Sequence, residues 1–118
     1  SFWPELMNKL ETASEIAQDA PEIISAGHMF YRNLDDADGL CTKMMELPLA
    51  LITGLLEHGQ KLGVIRKDLP LPLLISSVMA LGMALDRWGL DNFATLDAAE
   101  FSRLNEKSMD LFKRILAP

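Results

Sequence analysis

One cysteine, Cys41, stands in 118 residues, so no internal disulfide can form and a reducing compartment, the cytoplasm, is expected. Aromatic residues are scarce at 7%, and runs of Val, Ile or Thr are few, which weakens any case for sheet. No apolar run reaches the ~18 residues that cross a bilayer and no signal-peptide pattern opens the chain, so no membrane is expected as a partner. Basic residues are outnumbered, with Lys plus Arg 11 against Asp plus Glu 17, a net charge of −6. A nucleic-acid reader needs a basic face, because neutralised phosphates dominate its affinity. The largest basic clusters here are Arg66-Lys67 and Lys113-Arg114, which excludes DNA or RNA binding by this stretch alone. Catalytic patterns are also missing. There is no Gly-rich phosphate loop, no nucleophile elbow and no Glu-x-x-His helix pair. His28 and His58 lack the i, i+4 spacing of a zinc helix. No enzyme, cofactor or metal is expected.

What is present describes a helical domain. Hydrophobic residues make up 49% and charged residues 24%, a globular balance rich in Leu and Met. The mass of 13.1 kDa is that of a single domain, 1–118, which as a compact monomer would expose roughly 6,400 Å². The charge is uneven: residues 1–59 hold ten acids and three bases, and residues 60–118 hold seven acids and eight bases.

Five helices are legible. The first spans about Pro4 to Ala17, with Leu6, Leu10, Ala13 and Ala17 on one face, and Asp19-Ala20-Pro21 breaks it. The second starts at Pro21 and carries Ile23, Gly27, Phe30 and Leu34 on one stripe, with Ile24, His28 and Tyr31 beside it. The acids Asp35, Asp36 and Asp38 then read as a solvated loop. The third helix spans about Leu40 to Leu62 on the period Leu40, Met44, Leu47, Leu51, Leu55, Leu62. Pro48 inside it should bend the helix, and Gly63 should stop it. A fourth helix begins near Pro70 and is expected to end at Gly89. No charge interrupts Leu69 to Leu85, and both faces are apolar or small, so both should be covered. Asp97-Ala98-Ala99-Glu100 reads as the capping box of a fifth helix, whose stripe is Phe101, Leu104, Leu111, Phe112 and Ile115.

The segment Leu55–Asn92 is the most distinctive: a helix ending in Gly59 and Gly63, then Ile65-Arg66 and Asp68, then a long apolar helix closing in Leu85-Asp86-Arg87-Trp88. It resembles the ligand-binding, dimerising C-terminal domain of the tetracycline-repressor (TetR) family of bacterial transcriptional regulators. About a third of the chain carries the likeness closely, and the rest matches in helix order and length. The resemblance implies an all-α, five-helix regulatory domain whose last two helices form a four-helix-bundle interface in a homodimer. It also implies a small apolar effector that shifts the DNA-binding state of the full-length protein. The family's N-terminal helix-turn-helix DNA reader is absent from this chain, so the expectation is a regulatory fragment that meets DNA only through that missing segment.

Two residue sets follow. The interface is expected at Leu73, Ser76, Ser77, Ala80, Ala84 and Arg87 of the fourth helix. Phe101, Leu104, Leu111, Phe112 and Ile115 of the fifth should complete it. The effector pocket is expected among Met29, Phe30, Met44, Met45, Leu51 and Leu55, together with Met79, Met83 and Trp88. His28 and Tyr31 would offer polar contacts. Seven Met suit an adaptable apolar site, although Met and Phe at helical spacing also serve as plain core. Cys41 at a helix start is a thiol-sensor candidate whose ordinary reading is an inert core residue. The alternative for the chain as a whole is a helical protein–protein adaptor with no small-molecule ligand.

Overall fold

Prolines partition the chain. In the computed structural model, which describes residues 2–32 and 40–118, the helices are α1 (Phe2–Gln18), α2 (Pro21–Arg32), α3 (Leu40–Lys61), α4 (Leu71–Asn92) and α5 (Ala98–Leu116), with a 3₁₀ turn at Phe93–Thr95. The expected acidic loop at Asp35, Asp36 and Asp38 lies outside the described residues, as do the side chains of Leu10, Ala13, Ser14, Ala17, Gln18, Leu40, Cys41, Thr42 and Met44. The fold is all-helical, and no strand occurs among the described residues.

Local chemistry explains most boundaries. Pro21 opens α2, where its missing N–H costs nothing. Pro70 precedes α4, and its carbonyl accepts from the N–H groups of Leu73 and Leu74 at 3.0 and 3.2 Å. Asp97 caps α5 as its spacing predicts: the side chain accepts from the Glu100 N–H at 2.8 Å. One expectation differs. Gly89 does not end α4, which runs on to Asn92, because Gly89 keeps helical backbone and three residues on the Asn92 amide donates to the Trp88 carbonyl at 2.9 Å. Pro48 sits inside α3 without stopping it. Its cost falls on one backbone bond, and the helix runs on to Lys61.

The segment Gly59–Asp68 is the structural hinge of the domain. Gly63 takes φ +77°, the left-handed turn that an L side chain resists. That turn folds the chain back so that Val64 and Ile65 donate to the Gly59 carbonyl at 3.0 and 3.2 Å. Ile65 is then pressed onto Gly59, where an added Cβ would lie 2.4 Å from its Cδ1. Arg66 locks the next contact. Its N–H donates to the Leu116 carbonyl at 2.7 Å and its Nη1 to the Ile115 carbonyl at 3.3 Å. A cation thus closes the C-terminus of α5, where the helix dipole is negative. Two 2.6 Å bonds to Asp68 hold the guanidinium in place, and Gln60 donates to the Arg66 carbonyl at 3.1 Å. The bonds from Arg66 keep the Asp68 carboxyl below its ordinary range and raise Arg66 in turn.

Packing is polarised. The fully buried cluster is Leu56, Ile65, Leu74 and Leu116, with Phe2, Trp3, Ile52 and Val78 among the residues closing around it. It lies where the end of α3, the Gly63 turn, the start of α4 and the end of α5 meet. Elsewhere α4 forms the spine, packed against α2, α3 and α5, while α1 bridges α2 and α5. Gly27 lets α2 approach α4 closely, since a Cβ there would stand 2.8 Å from Leu90 Cδ1. The body measures 38 × 38 × 17 Å, and its radius of gyration of 15.0 Å exceeds the roughly 13.5 Å of a compact chain this long. It exposes 7858 Å², against the roughly 6,400 Å² expected of a compact monomer. By length and composition Leu71–Thr95 could also cross a membrane; within this fold its inner face is packed by the other helices.

Candidate functional site

Away from the dry core, the helices diverge and leave a cavity of about 490 Å³. Helix α2 contributes Gly27, Phe30 and Tyr31 to its wall, and α3 contributes Met45, Pro48 and Ile52. From α4 come Val78, Met79, Gly82, Met83 and Asp86, and from α5 comes Phe112. The size falls within the range of small-molecule sites. A second hollow of about 260 Å³ lies between α4 and α5 and includes Leu85, Phe93, Phe101, Leu104, Asn105 and Ser108. Gly82, Asp86 and Phe112 belong to both walls, so the two spaces meet at those three residues. Gly82 keeps the junction open: a Cβ there would find Phe112 Cζ as its nearest neighbour, 4.0 Å away.

Among the described residues, Asp86 is the one formally charged residue on either wall. Its Oδ2 accepts a 2.5 Å bond from the Tyr31 hydroxyl, tying α2 to α4. The Arg87 guanidinium stands 5.9 Å from the Tyr31 ring centre, and the Phe30 and Tyr31 rings meet edge to face at 5.1 Å. Burial pushes the Tyr31 phenol well above its ordinary value, the bond to Asp86 and the charge of that carboxylate add to the rise, and Arg87 opposes it. A third, polar hollow of about 280 Å³ adjoins, lined by His28, Tyr31, Arg32, Arg87, Leu90 and Asp91, with His28 Nδ1 3.9 Å from Asp91. No group of three or more metal-ligating side chains occurs among the described residues.

The structure draws five of the expected pocket residues together on the large cavity: Phe30, Tyr31, Met45, Met79 and Met83. His28 faces the polar hollow instead. Met29, Leu51 and Trp88 are exposed, and Leu55 is half-buried off the cavity wall. The side chain of Met44 is outside the described residues. The sequence reading gives Phe112 to an interface and assigns neither Asp86 nor Gly82 to the pocket. One signal was available: Val78, Gly82 and Asp86 fall four apart on a single face of α4.

The opposite face of α4 holds Leu73, Ser76, Ala80, Ala84 and Arg87, all exposed, with Ser77 half-buried and bonded to the Leu73 carbonyl at 2.8 Å. On α5, Leu111 is exposed, Ile115 packs on the core cluster, and Phe101, Leu104 and Phe112 line the hollows. Compared with known proteins, the chain matches no family model, no curated protein and no solved structure.

Proposed function

We propose that this chain is the effector-sensing, dimerising domain of a TetR-like bacterial transcriptional regulator. The reading rests on the two-sidedness of α4. Its inner face, through Val78, Met79, Gly82 and Met83, walls an apolar cavity of ligand size. Its outer face, through Leu73, Ser76, Ala80 and Ala84, is apolar or small and uncovered. One helix therefore stands between a ligand and a partner. A sensor needs that arrangement, because a ligand shifts an equilibrium only through contacts that differ between its two states.

The surface area supports a partner of the same kind. The excess over a compact monomer is of the order of what one side of a sizeable protein–protein interface buries. Ser76, Ala80 and Ala84 give a facing helix room to approach, and Leu111 of α5 adds exposed apolar surface. In this reading the effector is a small, mostly apolar molecule, the domain acts in the cytoplasm as a homodimer, and DNA is contacted through a separate reader.

Sedimentation of the purified chain tests it. The expected result is a dimer at micromolar concentration. Ala80→Arg should convert that dimer to a monomer, since the interface would have to bury an unpaired charge. Ala80 is exposed within the single chain, so the variant should keep its helical circular dichroism. A wild-type monomer would defeat the reading in favour of an adaptor with a different partner. An unchanged dimer of the variant would remove the interface from this face.

A further inference from the structure

We propose that the large cavity takes a monocationic, otherwise apolar molecule, with its ammonium group seated at Asp86 among the Phe30, Tyr31 and Phe112 rings. This rests on the sensor reading for the cavity itself and adds to it the chemical class of the occupant.

The composition of the wall carries the inference. Met45, Pro48, Ile52, Val78, Met79 and Met83 offer apolar surface with no side-chain hydrogen-bond donor and no acceptor stronger than a thioether. A purely apolar guest would be served by such a wall throughout. Among the described residues it is interrupted by one carboxylate, at the point where the two hollows join. Tyr31 occupies Oδ2 of Asp86, and Oδ1 accepts no hydrogen bond from a described residue. The Tyr31 hydroxyl donates into Asp86, so it orients the carboxylate without neutralising it. Three aromatic residues share that cavity with the carboxylate. Carboxylate and ring faces together are the chemistry that holds alkylated ammonium groups. An anionic guest would meet the Asp86 carboxylate at close range and be repelled. Arg87 stands over the Tyr31 ring, 5.9 Å from its centre, and lines the polar hollow rather than this cavity.

Three fluorescent probes of one shape separate charge from apolarity: diphenylhexatriene, its trimethylammonium derivative and its propionate derivative, which brighten on leaving water. Titrated into the full chain, the cationic probe should bind roughly ten-fold more tightly than the neutral one, a difference of about 1.4 kcal/mol, and the propionate most weakly. Asp86→Asn should erase the cation preference while leaving neutral binding in place. Asn keeps an acceptor for the Tyr31 hydroxyl and the site is exposed at residue level, so the variant should fold. Asp91→Asn, which alters the polar hollow instead, should leave the preference intact. Equal binding of cation and neutral probe, or a preference that survives Asp86→Asn, overturns the charge assignment while the apolar cavity stands. Failure of all three probes to bind overturns the cavity reading as well.

Discussion

The same substitution, made at two positions five residues apart on α3, should change stability in opposite directions. At Gly54 an added Cβ meets nothing within 4 Å. Gly54→Ala then gains only helix propensity, about 0.8–1 kcal/mol. At Gly59 the same methyl would lie 2.4 Å from Ile65 Cδ1, 2.7 Å from its Cγ1 and 3.3 Å from Phe2 Cζ. Ile65 is 1% exposed, so it has no open space to retreat into. Overpacking of a dense core costs about 1–3 kcal/mol, and contacts this short belong in the upper half of that range. Propensity offsets less here than at Gly54, because Gly59 is two residues from the end of the helix. The net expectation for Gly59→Ala is a loss of about 1–2 kcal/mol. At roughly 2.1 cal/mol/K of unfolding entropy per residue, a chain of this length shifts about 4 °C per kcal/mol. Thermal melts at one fixed protein concentration should therefore show Gly54→Ala about 3–4 °C above wild type and Gly59→Ala about 4–8 °C below it. Ile65→Val supplies the internal control, since it deletes the atom at 2.4 Å. The double variant Gly59→Ala/Ile65→Val should melt above the sum of its parts by about 1 kcal/mol of coupling. A Gly59→Ala protein as stable as Gly54→Ala, or strict additivity in the double variant, would refute the seating of Ile65 on Gly59.

Tyr31 is the one tyrosine in the sequence, so absorbance at the phenolate band reports it alone. Its titration midpoint should lie above the usual value of about 10 and fall back towards it in Asp86→Asn. Because the folded value is raised, the stability linked to Tyr31 is complete below the unfolded value and is lost as pH rises through the folded one. The Asp68 carboxyl behaves in the opposite sense. Its lowered value makes the Arg66 contact fully stabilising at neutral pH, and that part is lost as acidification passes through the folded value. Urea midpoints compared near neutrality and near about pH 3 should fall less for Asp68→Asn than for wild type. An identical acid-limb slope in both proteins would remove this pair from the pH response.

How much of this was readable in the sequence depended on whether the relevant force was local. The Asp97 cap, the Pro21 start and the Gly63 stop follow from interactions within a few residues, and the structure has all three. The exposed stripe of α4 was also legible, since Leu73, Ser76, Ala80 and Ala84 share a helical face whatever surrounds them. Gly89 misled because a glycine stops a helix only when the chain must turn there, and the Asn92 and Thr95 side chains carry the backbone past it. The cavity was half legible. Phe30, Met45, Met79 and Met83 point to it by residue type, but Phe112 and Asp86 reach it through the α4–α5 and α2–α4 crossings. Those crossings are set by pairs distant in sequence, such as Gly27 against Leu90, and periodicity within one helix does not encode them.

Packing along α4 is uneven: its start lies in the buried cluster, while its second half is held by the Tyr31–Asp86 bond and the seating of Gly27 on Leu90. Leu74 is anchored in the buried cluster beside the Arg66 lock, whereas Trp88, fourteen residues on, is exposed. At 1.5 Å per residue that is an arm of about 21 Å, so a tilt of roughly 3° at the anchored end displaces the far end by about 1 Å. The outer stripe would respond unequally, with Leu73 nearly stationary and Ala84 displaced most among its small residues. In the proposed sensor, such a helix would turn the volume of what the domain holds into the angle at which it meets its neighbour.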